Sequence, residues 1–206
     1  MTDYIFREGK GADPRAPLFF VFHGTGGNEN QFFDLAHQLL PGAHVVAPRG
    51  DVSEGGALRY FRRTGEGVYD MEDLAQRTAS MTAFVRDWRE RVEPSAVIGL
   101  GYSNGANILA SVLFETPGLF SAAVLMHPLI PFSPPARPEL AGTRVLITAG
   151  RRDPIAPASA TQNLSDYFAR EGAAVDLFWH EGGHELRQEE LLKAEEFLAP
   201  YRVATA

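Results

Sequence analysis

The sequence predicts an α/β fold: a mostly parallel central sheet with helices on both faces and little or no lid. Short β-rich apolar runs alternate with longer segments of helical period, the pattern of parallel strands joined by crossover helices. With 206 residues, 45% of them hydrophobic, the chain can bury one sizeable core, and a second domain is not expected. Residues 1–206 are therefore read as one domain, with no repeat, low-complexity tract or linker inside it.

Leu18 to Phe22 (LFFVF) is the first strand, and it runs into the glycine-rich loop His23-Gly24-Thr25-Gly26-Gly27. Asn28 to Leu40 then has helical spacing and stops at Pro41-Gly42. Ala43 to Ala47 is the next strand, bounded by Pro48. Residues 49–71 follow neither period and carry Gly50, Gly55, Gly56, Gly65 and Gly67, so a long loop is expected there, of the kind that is usually functional or mobile. Glu72 to Val92 is the longest helical segment, with Leu74, Met81, Phe84, Val85 and Trp88 on a core-facing stripe. Ala96 to Leu100 is a buried strand followed almost without a gap by a helix from Asn104 to Phe114. Strands are expected at Ala122 to Met126, Arg144 to Thr148 and Val175 to Trp179, and helices at Ser159 to Ala169 and Glu185 to Leu198. The proline-rich stretch from His127 to Pro138 cannot be regular structure.

Charge and composition narrow the function. The formal net charge of -7, from 26 acidic against 19 basic side chains, leaves no basic surplus for a phosphate backbone, so nucleic acid is not an expected partner. The absence of cysteine excludes a disulfide framework, a thiol nucleophile and thiolate metal sites. Met1 to Gly11 is polar, and no apolar run approaches the roughly 20 residues that span a bilayer. No stable membrane insertion is expected, and the reading is a cytoplasmic monomer or homodimer acting on a small molecule.

Gly101-Tyr102-Ser103-Asn104-Gly105 fits G-x-S-x-G, the nucleophile elbow. The pattern alone is weak, but here a strand runs straight into a helix, as the elbow requires. The residues two before and two after the serine must be tiny because strand and helix pass close together. An elbow serine needs a base to take its proton and a carboxylate to hold that base, in the chain order Ser, Asp or Glu, His. His127 precedes any plausible acid loop, and His180 is still at a strand end. His184, beyond Gly182-Gly183, lies in a loop that can swing an imidazole over the sheet's carboxyl edge. Asp153, just past the strand from Arg144, falls on that same rim, whereas Asp166 lies in a helix and Asp176 begins a strand at the wrong edge. The intermediate's oxyanion needs pre-aimed backbone donors. The N–H of Asn104, opening a helix, is one candidate, and that of Thr25, in the early glycine-rich loop, is the other.

His180-Glu181-Gly182-Gly183-His184 also fits the zinc pattern H-E-x-x-H. That motif works only on a helix, where residues four apart share a face, and adjacent glycines after a strand make a helix improbable. No metal or cofactor is therefore expected. Tyr60, Phe61 and Ile155 are candidates for the apolar wall of a shallow pocket rimmed by residues 49–71, with ordinary packing as the alternative. A shallow apolar wall without a cationic clamp favours short uncharged acyl esters.

With these residues assembled, the sequence resembles the phospholipase/carboxylesterase family of α/β-hydrolases. The segments FHGTGGNENQF (22–32), APRG (47–50), GLGYSNGANI (99–108), AGRRDPIAP (149–157) and GGHELRQEEL (182–191) occur in the family's order. The resemblance implies the α/β-hydrolase fold, Ser103 as nucleophile, Asp153 as acid, His184 as base, and Thr25 and Asn104 N–H groups as the oxyanion hole. YSNG resembles the bacterial carboxylesterase branch more than the acyl-protein thioesterase branch, which has glutamine after the serine. Hydrolysis of short-chain or aryl carboxylic esters is the activity implied. An acyl thioesterase or lysophospholipase of the same chemistry, or a catalytically silent binding protein on the same fold, are the alternatives.

Overall fold

The computed structural model describes residues 4–203. The strands β1 (Phe6–Gly9) and β2 (Leu18–Phe22) precede a short helix α1 (Phe33–Leu39) and β3 (His44–Pro48). Two small hairpins follow, β4 (Val52–Glu54) with β5 (Ala57–Arg59), and β6 (Arg63–Gly65) with β7 (Val68–Tyr69). The remainder alternates: α2 (Met71–Val92), β8 (Val97–Tyr102), α3 (Asn104–Glu115), β9 (Ala122–Met126), β10 (Arg144–Gly150), α4 (Ala158–Arg170), β11 (Ala174–His180) and α5 (Gln188–Leu198).

Seven strands form one sheet in the order β1-β3-β2-β8-β9-β10-β11, parallel except for β1, which pairs antiparallel with β3. Period-2 alternation divides the apolar side chains of β2. Leu18, Phe20 and Phe22 enter the core beneath α2, α3 and α4, while Phe19 and Val21 enter the one beneath α1 and α5. Both faces are covered, so all five residues of β2 are buried and the strand reads as an unbroken apolar run. The chain winds from β2 outward to β3, then returns to place β8 on the other side of β2. Open α/β sheets bind ligands outside the carboxyl ends of the strands at such a reversal.

Local chemistry sets the helix ends. Asp70 caps α2, its carboxylate accepting the Asp73 N–H at 3.0 Å, and the helix stops at Glu93 in the left-handed region. Glu190, in the first turn of α5, reaches back to the Arg187 N–H at 2.7 Å. The expected apolar stripe of α2 is buried at Leu74, Met81, Phe84, Val85 and Trp88. Residues 127–137 contain no helix or strand, as their prolines require, but Pro138, expected to be irregular as well, opens a single 3-10 turn, Pro138–Leu140, because its fixed φ suits a first helical position. Three expectations need correction. β1 is an added edge strand, unforeseen because Phe6, Arg7 and Glu8 are exposed and give no core-facing alternation. The expected loop at 49–71 contains two hairpins. α1 and α5 start later than Asn28 and Glu185, because turns occupy the preceding residues.

Candidate active site

Ser103 stands between the end of β8 and the start of α3 with φ 52° and ψ -117°, a backbone conformation that non-glycine residues adopt only under constraint. The constraint is crowding. A Cβ on Gly101 would collide with the Gly105 backbone, and one on Gly105 with the carbonyl oxygens of Phe22 and His23. The Ser103 N–H is tied to the Met126 carbonyl at 2.9 Å.

His184 lies in the turn after β11. Its Nε2 is 2.8 Å from Ser103 Oγ and its Nδ1 is 2.7 Å from Asp153 Oδ2. A carboxylate accepts from Nδ1–H, which leaves Nε2 as the acceptor for the serine hydroxyl. Tyr102 donates its hydroxyl to the His184 carbonyl at 2.7 Å, anchoring the turn to β8. Asp153 follows β10, and its Oδ1 accepts the N–H groups of Ile155 and Ala156 at 2.8 and 2.9 Å. The structure thus brings Ser103, His184 and Asp153 into one hydrogen-bonded row, a path along which a hydroxyl proton can pass to an imidazole.

Asp153 has a second imidazole. His127, at the end of β9, places Nδ1 2.9 Å from the same Oδ2, and its side chain is fully buried. Burial opposes ionisation of Asp153, but the hydrogen bonds from His127, His184, Ala156 and Ile155 outweigh it and hold the carboxyl far below the usual carboxylate range. Burial likewise opposes charge on His127, yet its bonds to Asp153 and Glu190 push its pKa up to about 9. Chain order removed His127 as the base, and the structure puts His184 in contact with Ser103. Sequence order held no signal for a second histidine on the acid, apart from its place at the carboxyl end of the strand beside β8.

The early loop and the elbow are both held by the segment 58–60. Arg59 donates to Thr25 Oγ1 at 2.9 Å, the Gly26 N–H bonds the Leu58 carbonyl at 2.9 Å, and the Tyr60 N–H bonds Asn104 Oδ1 at 2.7 Å. Thr25 and Asn104 both line the cavity onto which Ser103 and His184 open, about 310 Å³ in volume. The Asn104 N–H, in the first turn of α3, has no intrahelical acceptor. Ile155 lines this cavity, whereas Tyr60 and Phe61 do not. Their rings are in the core, where full burial outweighs contact with an open pocket. The Tyr60 hydroxyl bonds the Pro48 carbonyl at 2.8 Å, and Phe61 packs edge-on against Tyr69. In their place Arg59, Arg63, Glu66 and Tyr69 reach the cavity, with Leu129 as an apolar patch. The expectation of a wall free of cations is corrected accordingly, although Arg59 and Arg63 share Glu54, and Arg63 also pairs with Glu66.

Among the described residues, two histidine-carboxylate groups have ligand atoms close enough to suit a metal: His127 with His180 and Glu190, and His127 with Asp153 and His184. The first fails on its protons. His180 Nδ1 accepts the Gly182 N–H at 3.0 Å, so the ring proton is on Nε2, the atom that would have to bind the metal. In the second, both Nδ1 atoms are turned to the Asp153 carboxylate as hydrogen-bond donors. The H-E-x-x-H residues do not share a helix face, because His180 ends β11 and residues 181–187 are turn and bend.

A doubly covered parallel sheet with this elbow at its carboxyl edge defines an α/β-hydrolase. The chain belongs to the dienelactone hydrolase family, whose model matches residues 5–190, and it is a hydrolase of the dienelactone hydrolase and carboxylesterase type. It is 38% identical to MhqD of Bacillus subtilis (strain 168) over 182 residues, 87% of this chain and 91% of that one. Among solved structures, Atu2452 of Agrobacterium tumefaciens, of unknown function, superposes with TM-score 0.90 at 55% identity, covering 96% of this chain and 97% of that one. A carboxylesterase of Bacillus cereus superposes with TM-score 0.90 at 36% identity, covering 96% and 94%. These similarities agree with the resemblance to phospholipase/carboxylesterase proteins. Among the described residues no helix is long and apolar enough to cross a membrane.

Proposed function

We propose that the protein is a serine carboxylesterase that hydrolyses short-chain or aryl carboxylic esters through an acyl-enzyme. The observation that carries this reading is the Ser103–His184–Asp153 row, with contacts of 2.8 and 2.7 Å, opening on the cavity. Ser103 Oγ attacks the ester carbonyl as its proton passes to His184 Nε2, and the N–H groups of Thr25 and Asn104 receive the oxyanion. The imidazolium returns the proton to the leaving alkoxide, and the acyl-enzyme forms. Water, deprotonated by the same imidazole, then releases the acid and restores Ser103. Because His184 must be neutral to act, activity falls as the solution is acidified.

The cavity's polar groups, Arg59, Arg63 and Glu66, favour small esters with a polar substituent over a long acyl chain, and this argues against the lysophospholipase alternative. Ser103→Ala is expected to lower hydrolysis of a short-chain aryl ester by at least about 10⁴-fold with the fold retained. Wild-type protein should be labelled at Ser103 by an active-site fluorophosphonate. Failure of folded protein to label would favour the silent binding protein. A panel of aryl esters, acyl thioesters and lysolipids separates the remaining alternatives.

A further inference from the structure

The hydrogen bonds behind Asp153 continue into the core. His127 Nε2 lies 3.0 Å from Glu190 Oε1, and His180 Nε2 lies 3.3 Å from Glu190 Oε2. Thr148 Oγ1 donates to Oε1 at 2.7 Å, and the Arg187 N–H to Oε2 at 2.7 Å. The side chains of His127, His180 and Glu190 are all at 0% exposure, so their contacts are shielded from bulk solvent. Each carboxylate is surrounded by donors. Asp153 faces His184, His127 and the N–H groups of Ile155 and Ala156. Glu190 faces His127, His180, Thr148 and Arg187. A carboxylate offers about four lone-pair sites, and both acids have theirs filled. His127 is the one side chain common to the two sets, with a different ring nitrogen aimed at each acid.

We propose that His127 is a positioning residue held as an imidazolium between Asp153 and Glu190, and that its charge offsets Asp153 so that His184 stays a neutral base at mildly acidic pH. The inference rests on reading His184 as the base of a serine hydrolase. A carboxylate beside His184 both orients the ring and stabilises its protonated form. The second effect works against catalysis, because a protonated base cannot accept the serine proton. A cation on the same carboxylate oxygen leaves the orientation intact and reduces that stabilisation. The His127 and His184 ring centroids are 5.2 Å apart, so the like charges also repel directly in a poorly solvated site. His127 is otherwise faced by His180 at the end of β11 and by the edge-on Tyr102 ring from β8. His180 is neutral, since its Nδ1 accepts the Gly182 N–H. Glu190 serves as the counter-anchor, a second carboxylate that accepts from His127 Nε2 and adds to the hold of Asp153 on the imidazolium.

Histidine-selective ¹⁵N NMR of the whole protein tests the charge directly. Both ring nitrogens of His127 should be protonated from pH 5 to 8 while His184 titrates. In His127→Gln, which can still hydrogen-bond but carries no charge, the His184 titration should move up by about 1–2 pH units. The acid limb of kcat/KM for a short-chain aryl ester should move with it. Glu190→Gln should shift the limb in the same direction by less. A neutral His127 at pH 7, with the proton on Glu190, overturns the proposal. So does an unmoved His184 titration in a folded His127→Gln, even with lower activity, since a merely structural role predicts that result. Should His127→Gln not fold, the wild-type spectrum and Glu190→Gln still decide. A shifted His184 titration in a protein that hydrolyses no ester would retire the esterase reading and leave the charge pairing standing.

Discussion

At Gly105 a single methyl group is enough to separate the two halves of the site. Its Cβ would meet the carbonyl oxygens of Phe22 and His23, backbone atoms at the end of β2 and just beyond it that cannot rotate away. Gly105→Ala is therefore expected to cost about 1–3 kcal/mol and to lower the melting temperature by several degrees, as a thermal melt would show. Activity should fall further than stability, since relief of the clash must push α3 and Ser103 away from the early loop. Such single-residue demands are what sequence reasoning reads well. The meeting of Ser103, Asp153 and His184 in one hydrogen-bonded row was legible because a spacing, a chain order and a strand-end position each narrow the choice. Tyr60, Phe61 and Arg59 were not, because hydropathy favours aromatics for a pocket wall. Which of three neighbouring side chains enters the cavity is instead set by how the hairpin sits on the sheet. His127 escaped for a different reason: its role is defined by contacts with residues 26 and 63 positions away.

The β4–β5 hairpin illustrates what an element contributes beyond its side chains. With the residue that follows it, it holds both proposed oxyanion donors from outside, Thr25 through Arg59 and Asn104 through the Tyr60 N–H. Arg59 itself is 3% exposed and donates to the Phe61 carbonyl at 3.2 Å, so it is fixed within its own segment. Arg59→Ala should lower kcat for an aryl ester by about tenfold, less than the 10²-fold or more that follows loss of a donor itself. KM should change less, because Thr25 would be misaimed rather than removed, and steady-state kinetics on Arg59→Ala beside the wild type makes the comparison. The strands buried on both faces were legible, and Ala122–Met126 matches its sequence-based bounds, because a parallel strand in a covered sheet is apolar throughout. Hairpins β4–β5 and β6–β7 were not legible. They lean on one edge of the site with alternating exposed residues and three left-handed glycines, Gly55, Gly56 and Gly67, and that composition reads as loop.

For the whole molecule, the buried acids and His127 link stability to pH. The His127 pKa is raised to about 9 from an unfolded value near 6.5, so its contribution is complete below about pH 6.5 and is lost as pH rises through about 9. Asp153 and Glu190 are shifted the other way: their contributions are present above the ordinary carboxylate range and disappear as acid protonates them. A stability plateau from about pH 5 to 6.5 with an alkaline decline of about 3 kcal/mol is the expected profile. Calorimetry between pH 6 and 10 should show a falling melting temperature in the wild type and a flatter one in His127→Gln.

The sheet order has a further consequence. Among the described residues strand β11 is outermost and pairs only with β10, yet the turn that follows it carries His184, and α5 after that carries Glu190. An edge strand can peel away while the centre of a sheet holds. The proposed base is thus carried at the margin of the sheet rather than at its middle, and loss of activity ahead of the main thermal transition is the expected outcome of a heating series.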